Sequence, residues 1–102
     1  MREFRVTLSH RPGELTRLAQ ALADARVNLR SVAGIADGQQ AHVCIVAEEV
    51  ATVRDVLEQQ RMQFAEEEVL TALIENEPGQ LAELTQKLGD AGVNLHSLFI
   101  LA

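Results

Sequence analysis

The chain has 102 residues, 47% of them hydrophobic and 24% charged, the composition of one folded globular domain and not of a disordered segment. Fifteen acidic against nine basic residues leave a net charge of −6, no Lys or Arg run occurs, and the aromatics are Phe4, Phe64 and Phe99 alone. That balance excludes a nucleic-acid partner, which demands clustered cations and stacking rings, and disfavours an anionic membrane surface.

The charged start Met1-Arg2-Glu3-Phe4-Arg5 opens a strand, and no stretch approaches the roughly 18 apolar residues of a membrane-crossing helix, so a soluble, cytoplasmic protein is expected. Phe4, Val6 and Leu8 alternate as a half-buried strand does. Pro12-Gly13 then turns the chain into a helix in which Leu15, Leu18, Leu22 and Ala25 recur at helical spacing; proline suits the first turn, where a missing amide hydrogen costs little. Val32 to Ala36 and Ala41 to Ala47 flank Asp37-Gly38, a turn signal that predicts a hairpin. The single cysteine, Cys44, sits in the apolar run Val43-Cys44-Ile45-Val46, which predicts core packing, permits no intrachain disulfide and fits a reducing compartment. Val50, Val53, Val56 and Leu57 form the stripe of a second helix ending near Met62 to Phe64, and Glu66-Glu67-Glu68 leads into a strand over Val69 to Ile74. Leu81, Leu84 and Leu88 mark a third helix, with Gly92 placed to end it, and Leu98-Phe99-Ile100-Leu101 reads as a last strand.

Sliding the sequence by 66 positions superimposes Arg5 to Ala36 on Thr71 to Ala102. Pro12-Gly13 falls on Pro78-Gly79, the three helix leucines on Leu81, Leu84 and Leu88, Val27-Asn28-Leu29 on Val93-Asn94-Leu95, and Ser31 on Ser97. Gly92 falls on Arg26, a poorer helix stop. The predicted fold class is therefore α+β: a ferredoxin-like β-α-β-β-α-β unit with an antiparallel sheet over residues 1–76, followed by the first half of a second unit over 69–102 that shares the strand at 69–75. Strands apolar on both faces, at 69–74 and 98–101, need cover on the second face, which predicts a homodimer.

A strand closing on a polar residue, then x-Pro-Gly, then a helix of Leu-x-x-Leu-x-x-x-Leu spacing and a Val-Asn-Leu strand, resembles the ACT domain. This small regulatory domain is attached to many enzymes of amino-acid metabolism and also occurs in free-standing tandem proteins. The signature appears twice and the resemblance spans essentially the whole chain. A full second unit would need another strand, helix and strand after Ala102; another chain completes it, or the half unit is an addition that builds the dimer. The resemblance implies a regulatory protein without catalytic activity or cofactor. Its ligand would be a small molecule, an amino acid by preference, bound between units beside the first turn, and an unidentified enzyme partner is a further possibility it carries.

In serine-binding members of that family the side chains that matter are an Asn two residues before the Pro and the Asn of the Val-Asn element. These positions are Asn76 and Asn94 in the second copy, and His10 and Asn28 in the first. The candidate ligand-binding set is thus His10, Arg11, Gly13, Asn28, Arg30, Asn76, Gly79 and Asn94. The chemistry is sound, because a helix's first turn offers unpaired amides and partial positive charge to a carboxylate, and glycine lets the ligand approach. Each residue also has a plainer reading: the glycines as turn formers, the asparagines as backbone partners, the arginines as solvated charges. With Arg11 and Arg30 flanking it, the first site is expected to prefer the more anionic ligand. His10, His42 and His96 lack the spacing of a metal site, and no nucleophile with its base or phosphate-binding loop is present, so neither a metal nor catalysis is expected. The alternative function is a structural dimerisation or protein-interaction module that binds no ligand.

Overall fold

The computed structural model describes residues 1–101. They divide into two units, Met1–Val69 and the residues from Leu70 onward. In the first, β1 (Arg2–Ser9), α1 (Glu14–Asp24), β2 (Leu29–Asp37), β3 (Gln40–Ala47), α2 (Val50–Gln59) and β4 (Gln63–Glu68) follow one another in β-α-β-β-α-β order. The sheet runs β2-β3-β1-β4, with each neighbouring pair antiparallel. β2 is therefore an edge strand.

Alternation in β1 places Phe4, Val6 and Leu8 on the face that the helices cover, where they are joined by Val43 and Ile45 of β3. From above, α1 contributes Leu18 and Leu22, while α2 contributes Val53, Val56 and Leu57. Phe64 of β4 packs partly buried against this cluster, its ring 6.2 Å from that of Phe4 and tilted by 52°. Each fully buried side chain of this size contributes roughly 1.5–3 kcal/mol, so the cluster carries most of the unit's stability.

The strand that completes the sheet is six residues earlier than the sequence indicates. Gln63–Glu68 pairs with β1, Phe4 opposite Glu66 and Val6 opposite Phe64, whereas residues 69–74 form no strand among the described residues. The glutamates that read as solvated lead-in are instead tied into the sheet: Glu66 receives both Nε and Nη2 of Arg54 and lies 3.2 Å from Arg2, and Glu67 lies 3.9 Å from Arg5. This also shortens the second helix, which stops at Gln59 and not near Met62 to Phe64.

All three helices end alike. Arg26, Arg61 and Gly92 stand in the left-handed region at φ 59°, 55° and 78°, and the following amides, of Val27, Met62 and Val93, donate back to Leu22, Leu57 and Leu88 at 2.9–3.0 Å. Arg26 thus performs the stop that glycine performs at position 92.

The described residues from Leu70 onward hold one regular element, α3 (Gln80–Asp90), which begins and ends where α1 does after the 66-residue shift. Leu98–Leu101, expected as a strand, is not one. Both absences have one cause: a strand is defined by its ladder, and in the first unit β3 supplies the partner for β1 and β2 alike. No counterpart of β3 lies among the described residues of the second unit. Most of its apolar residues stay open, with Leu73 fully exposed and Ile100 largely so; Leu84, Leu88 and Phe99 are half-buried, and no residue of α3 is fully buried.

Candidate functional site

At the end of β1 the chain leaves the sheet through Ser9, His10 and Arg11. The amide of His10 donates to the Gln39 carbonyl at 2.8 Å, fastening this turn to the β2–β3 hairpin, and the amide of Arg11 donates back to Ser9 at 2.9 Å. Gly13 then adopts φ 90°, a conformation that penalises any side chain, and caps α1 with no side-chain hydrogen bond. The first-turn amides of α1 are thus without the Ser, Thr, Asp or Asn oxygen that commonly receives one of them.

Between this turn and the end of β2 lies a solvent-open hollow of ≈ 690 Å³. His10, Arg11, Gly13 and Glu14 form one rim. Leu8, Ala36, Ala41 and Val43 line it from the sheet, and register puts all four on the helix-facing side, with Leu8 and Ala36 both opposite Ala41. Leu15 of α1, more than half exposed, closes the top.

Glu14 dominates the rim's electrostatics, and the sequence reading passed it over. Its carboxylate accepts from Arg11 Nη2 at 2.8 Å and from Arg17 Nη2 at 3.1 Å and Nε at 3.3 Å; these hydrogen bonds, Arg11's first, hold its carboxyl below the usual range. Arg17 also donates to the Gln60 carbonyl at 3.2 Å. An acid flanked by arginines three residues before and after it was the signal available in the sequence.

Of the first-copy candidates, His10, Arg11 and Gly13 line the hollow, and Asn28 and Arg30 do not. At that point β2 is irregular: Leu29 pairs with Ala47 and Ser31 with Val46, leaving Arg30 as the extra residue of a bulge. Its guanidinium donates to Glu48 at 3.0 Å, both side chains being more than half exposed.

The second copy repeats the hydrogen bonds made within the turn, though not the one that ties His10 to the hairpin. Gly79 adopts φ 88°, the amide of Glu77 donates to Glu75 at 2.9 Å, and Gln80 donates to Glu77 at 3.3 Å, matching Glu14 to Arg11. The charges differ. Glu77, Gln80 and Glu83 replace Arg11, Glu14 and Arg17, so this turn is acidic. A second hollow, ≈ 430 Å³, lies between Ala72–Glu75 and the inner side of α3, lined by Gln80, Glu83, Leu84 and Lys87; Asn76, Gly79 and Asn94 are not part of it.

Cys44 is half-buried between the inward-facing Val43 and Ile45, and so lies on the opposite face from the core that its apolar run suggested. Burial, followed by a hydrogen bond to Glu3, pushes its thiol up to about 11, which leaves it protonated and unreactive at neutral pH. Among the described residues no group of three His, Cys, Asp or Glu is placed to hold a metal, and no helix is long and apolar enough to cross a membrane.

Solved structures share this architecture throughout the chain. A Bacteroides thetaiotaomicron protein superimposes with a TM-score of 0.87 at 19% identity, over 99% of this chain and 70% of its own. The chain has the ferredoxin-like fold of ACT domains. The aspartate kinase regulatory subunits of Thermus thermophilus, in its ligand-free form, and Thermus flavus follow at TM-scores of 0.74 and 0.66 and identities of 12% and 15%. Each match covers 98% of this chain and 76% of the other. No protein-family model matches the sequence, and no curated protein does.

Proposed function

We propose that this ACT-type chain is a regulatory, ligand-sensing module without catalysis, which works as a homodimer and binds an amino acid at the hollow beside the β1–α1 turn. The observation that carries the reading is the uncapped start of α1 beside that hollow: its first-turn amides are suited to a carboxylate, and Gly13 leaves them approachable. Regulatory subunits among the structural neighbours support it.

The edge position of β2 supports the dimer. Two copies paired antiparallel along β2 would bring Asn28 and Arg30, at the start of one strand, beside the hollow at the end of the other, uniting candidates that one chain keeps apart. Ligand would then shift the dimer between states through its differential affinity for them. Asn76, Gly79 and Asn94 form the equivalent site of the second copy, open to the same use once strands flank α3.

A thermal-shift screen of the full chain against the common amino acids, with nucleotides as controls, tests the reading. One or two amino acids are expected to raise the midpoint, the rise growing with concentration by mass action. A flat response to every compound would favour the structural dimerisation module instead, a reading that the exposed Val32 and Ile35 of β2 also accommodate.

A further inference from the structure

The side chains around the hollow say which amino acids it accepts, provided that the amino-acid reading above holds. One full cation and one full anion, Arg11 and Glu14, lie on its rim, and they are joined at 2.8 Å. Glu14 is held further by Arg17, and Arg30, the remaining cation proposed for this site, is engaged by Glu48 at 3.0 Å. The preference for an anionic ligand expected from counting arginines therefore has no unpaired arginine behind it.

A free amino acid is itself a joined cation and anion. Laid along the Arg11–Glu14 pair, its carboxylate meets Arg11 and the α1 amides while its ammonium meets Glu14, so that each charge gains an opposite neighbour and none is displaced. What remains is the side chain, which is directed to the sheet side of the hollow. Leu8 and Val43 there are almost fully buried, Ala36 and Ala41 are small, and none carries a polar side-chain atom. A carboxylate or ammonium on this surface would be desolvated without a partner. Branched aliphatic carbon would instead cover the apolar area that the hollow leaves open, chiefly at Leu15 and Ala36, at roughly 25 cal/mol per Å².

We infer that the ligand of this hollow is a net-neutral amino acid with a branched aliphatic side chain, of the leucine, isoleucine or valine class. Serine, although neutral, has little aliphatic carbon to lay on this surface; the hydroxyls that line the hollow, of Ser9 and Thr16, belong to the end of β1 and to α1 and not to these four sheet positions. The acidic turn of the second copy, with Glu77 and Glu83 where the first has Arg11 and Arg17, lacks the cation that this arrangement uses.

Calorimetric titration of the full chain with leucine, isoleucine, valine, serine, aspartate, glutamate, lysine and arginine is the test. At least one aliphatic amino acid is expected to bind about tenfold or more tighter than serine and every charged one. Tightest binding by serine or a charged amino acid would overturn the inference while leaving the amino-acid reading intact; binding by none of the eight would overturn it together with that reading for these ligands. Two variants separate charge from surface. Glu14→Gln leaves the arginines unopposed and should raise aspartate affinity relative to leucine by about tenfold or more. Ala36→Asp, at an exposed position of the edge strand, should weaken leucine binding by a similar factor with the ligand-free melting curve intact. An unchanged aspartate-to-leucine ratio in the first, or unchanged leucine binding in a folded second, would count against it.

Discussion

Arg26 and Arg61 hold a backbone conformation that L-residues avoid, and they hold it because the return hydrogen bonds from Val27 and Met62 require it. A side chain in the left-handed region costs roughly 1–2 kcal/mol, while glycine gives back about 0.5–1 kcal/mol through the greater freedom of its unfolded chain. The difference favours glycine. Arg26→Gly and Arg61→Gly are each expected to stabilise the protein by up to about 1 kcal/mol, seen as a higher urea midpoint with unchanged slope. Among the described residues neither arginine takes part in an ion pair that the change would sacrifice, whereas Arg17 bridges Glu14 and Gln60 and is not a candidate for the same exchange.

At the scale of elements, the arrangement of Glu66 explains both a misreading and a pH dependence. Three consecutive glutamates read as a solvated lead-in because charge is the mark of exposure, and the apolar run that follows, Val69 to Ile74, is the better strand by composition. What decides the pairing is lateral. Arg54 on α2 and Arg2 on β1 converge on Glu66, and Phe64 two residues earlier meets Phe4, so the acidic segment gains partners that no local pattern displays. The helices were more legible, because Leu15, Leu18 and Leu22 announce their period and Pro12-Gly13 their start, and α3 could be placed simply by repeating α1. The hydrogen bonds from Arg54, then the charges of Arg54 and Arg2, hold the Glu66 carboxyl below its ordinary 4.5 despite the opposing effect of burial. A depressed folded-state value means stabilisation that is complete above about pH 4.5 and is lost as pH falls through the folded value. Glu66→Gln is therefore expected to lower the midpoint at pH 7 and to flatten its fall below pH 4.5. Equal pH profiles for parent and variant in denaturation experiments would remove Glu66 from the acid response.

For the molecule as a whole, the two copies of one sequence motif show how far sequence alone determines structure. The bonds within the turn are reproduced, Gly13 and Gly79 differing by 2° in φ, since these are local, whereas the bond from His10 to Gln39 needs the hairpin of the first copy. The strands on either side are reproduced only where ladder partners exist, in the first copy. The candidate site divides the same way: His10, Arg11 and Gly13, close in sequence, line one hollow, whereas Asn28, assigned through the family resemblance, and Arg30, the extra residue of the bulge in β2, stay outside it. Stability should follow this division. Every buried hydrophobic residue among those described, from Phe4 to Met62, lies in the first unit, and α3 buries none of its own. A chain ending at Val69 keeps the complete four-stranded sheet, both covering helices and all of that core, while shedding the exposed Leu70, Leu73, Ile100 and Leu101. It is expected to unfold in one cooperative transition with a thermal midpoint within a few degrees of the full chain, because a shift of about 1 kcal/mol moves a domain of this size by roughly 4–8 °C. Sedimentation of the two proteins then tests the proposed homodimer: association retained by the shortened chain would assign its contact to the first unit, where β2 is a sheet edge, and association lost would assign it to the residues from Leu70 onward.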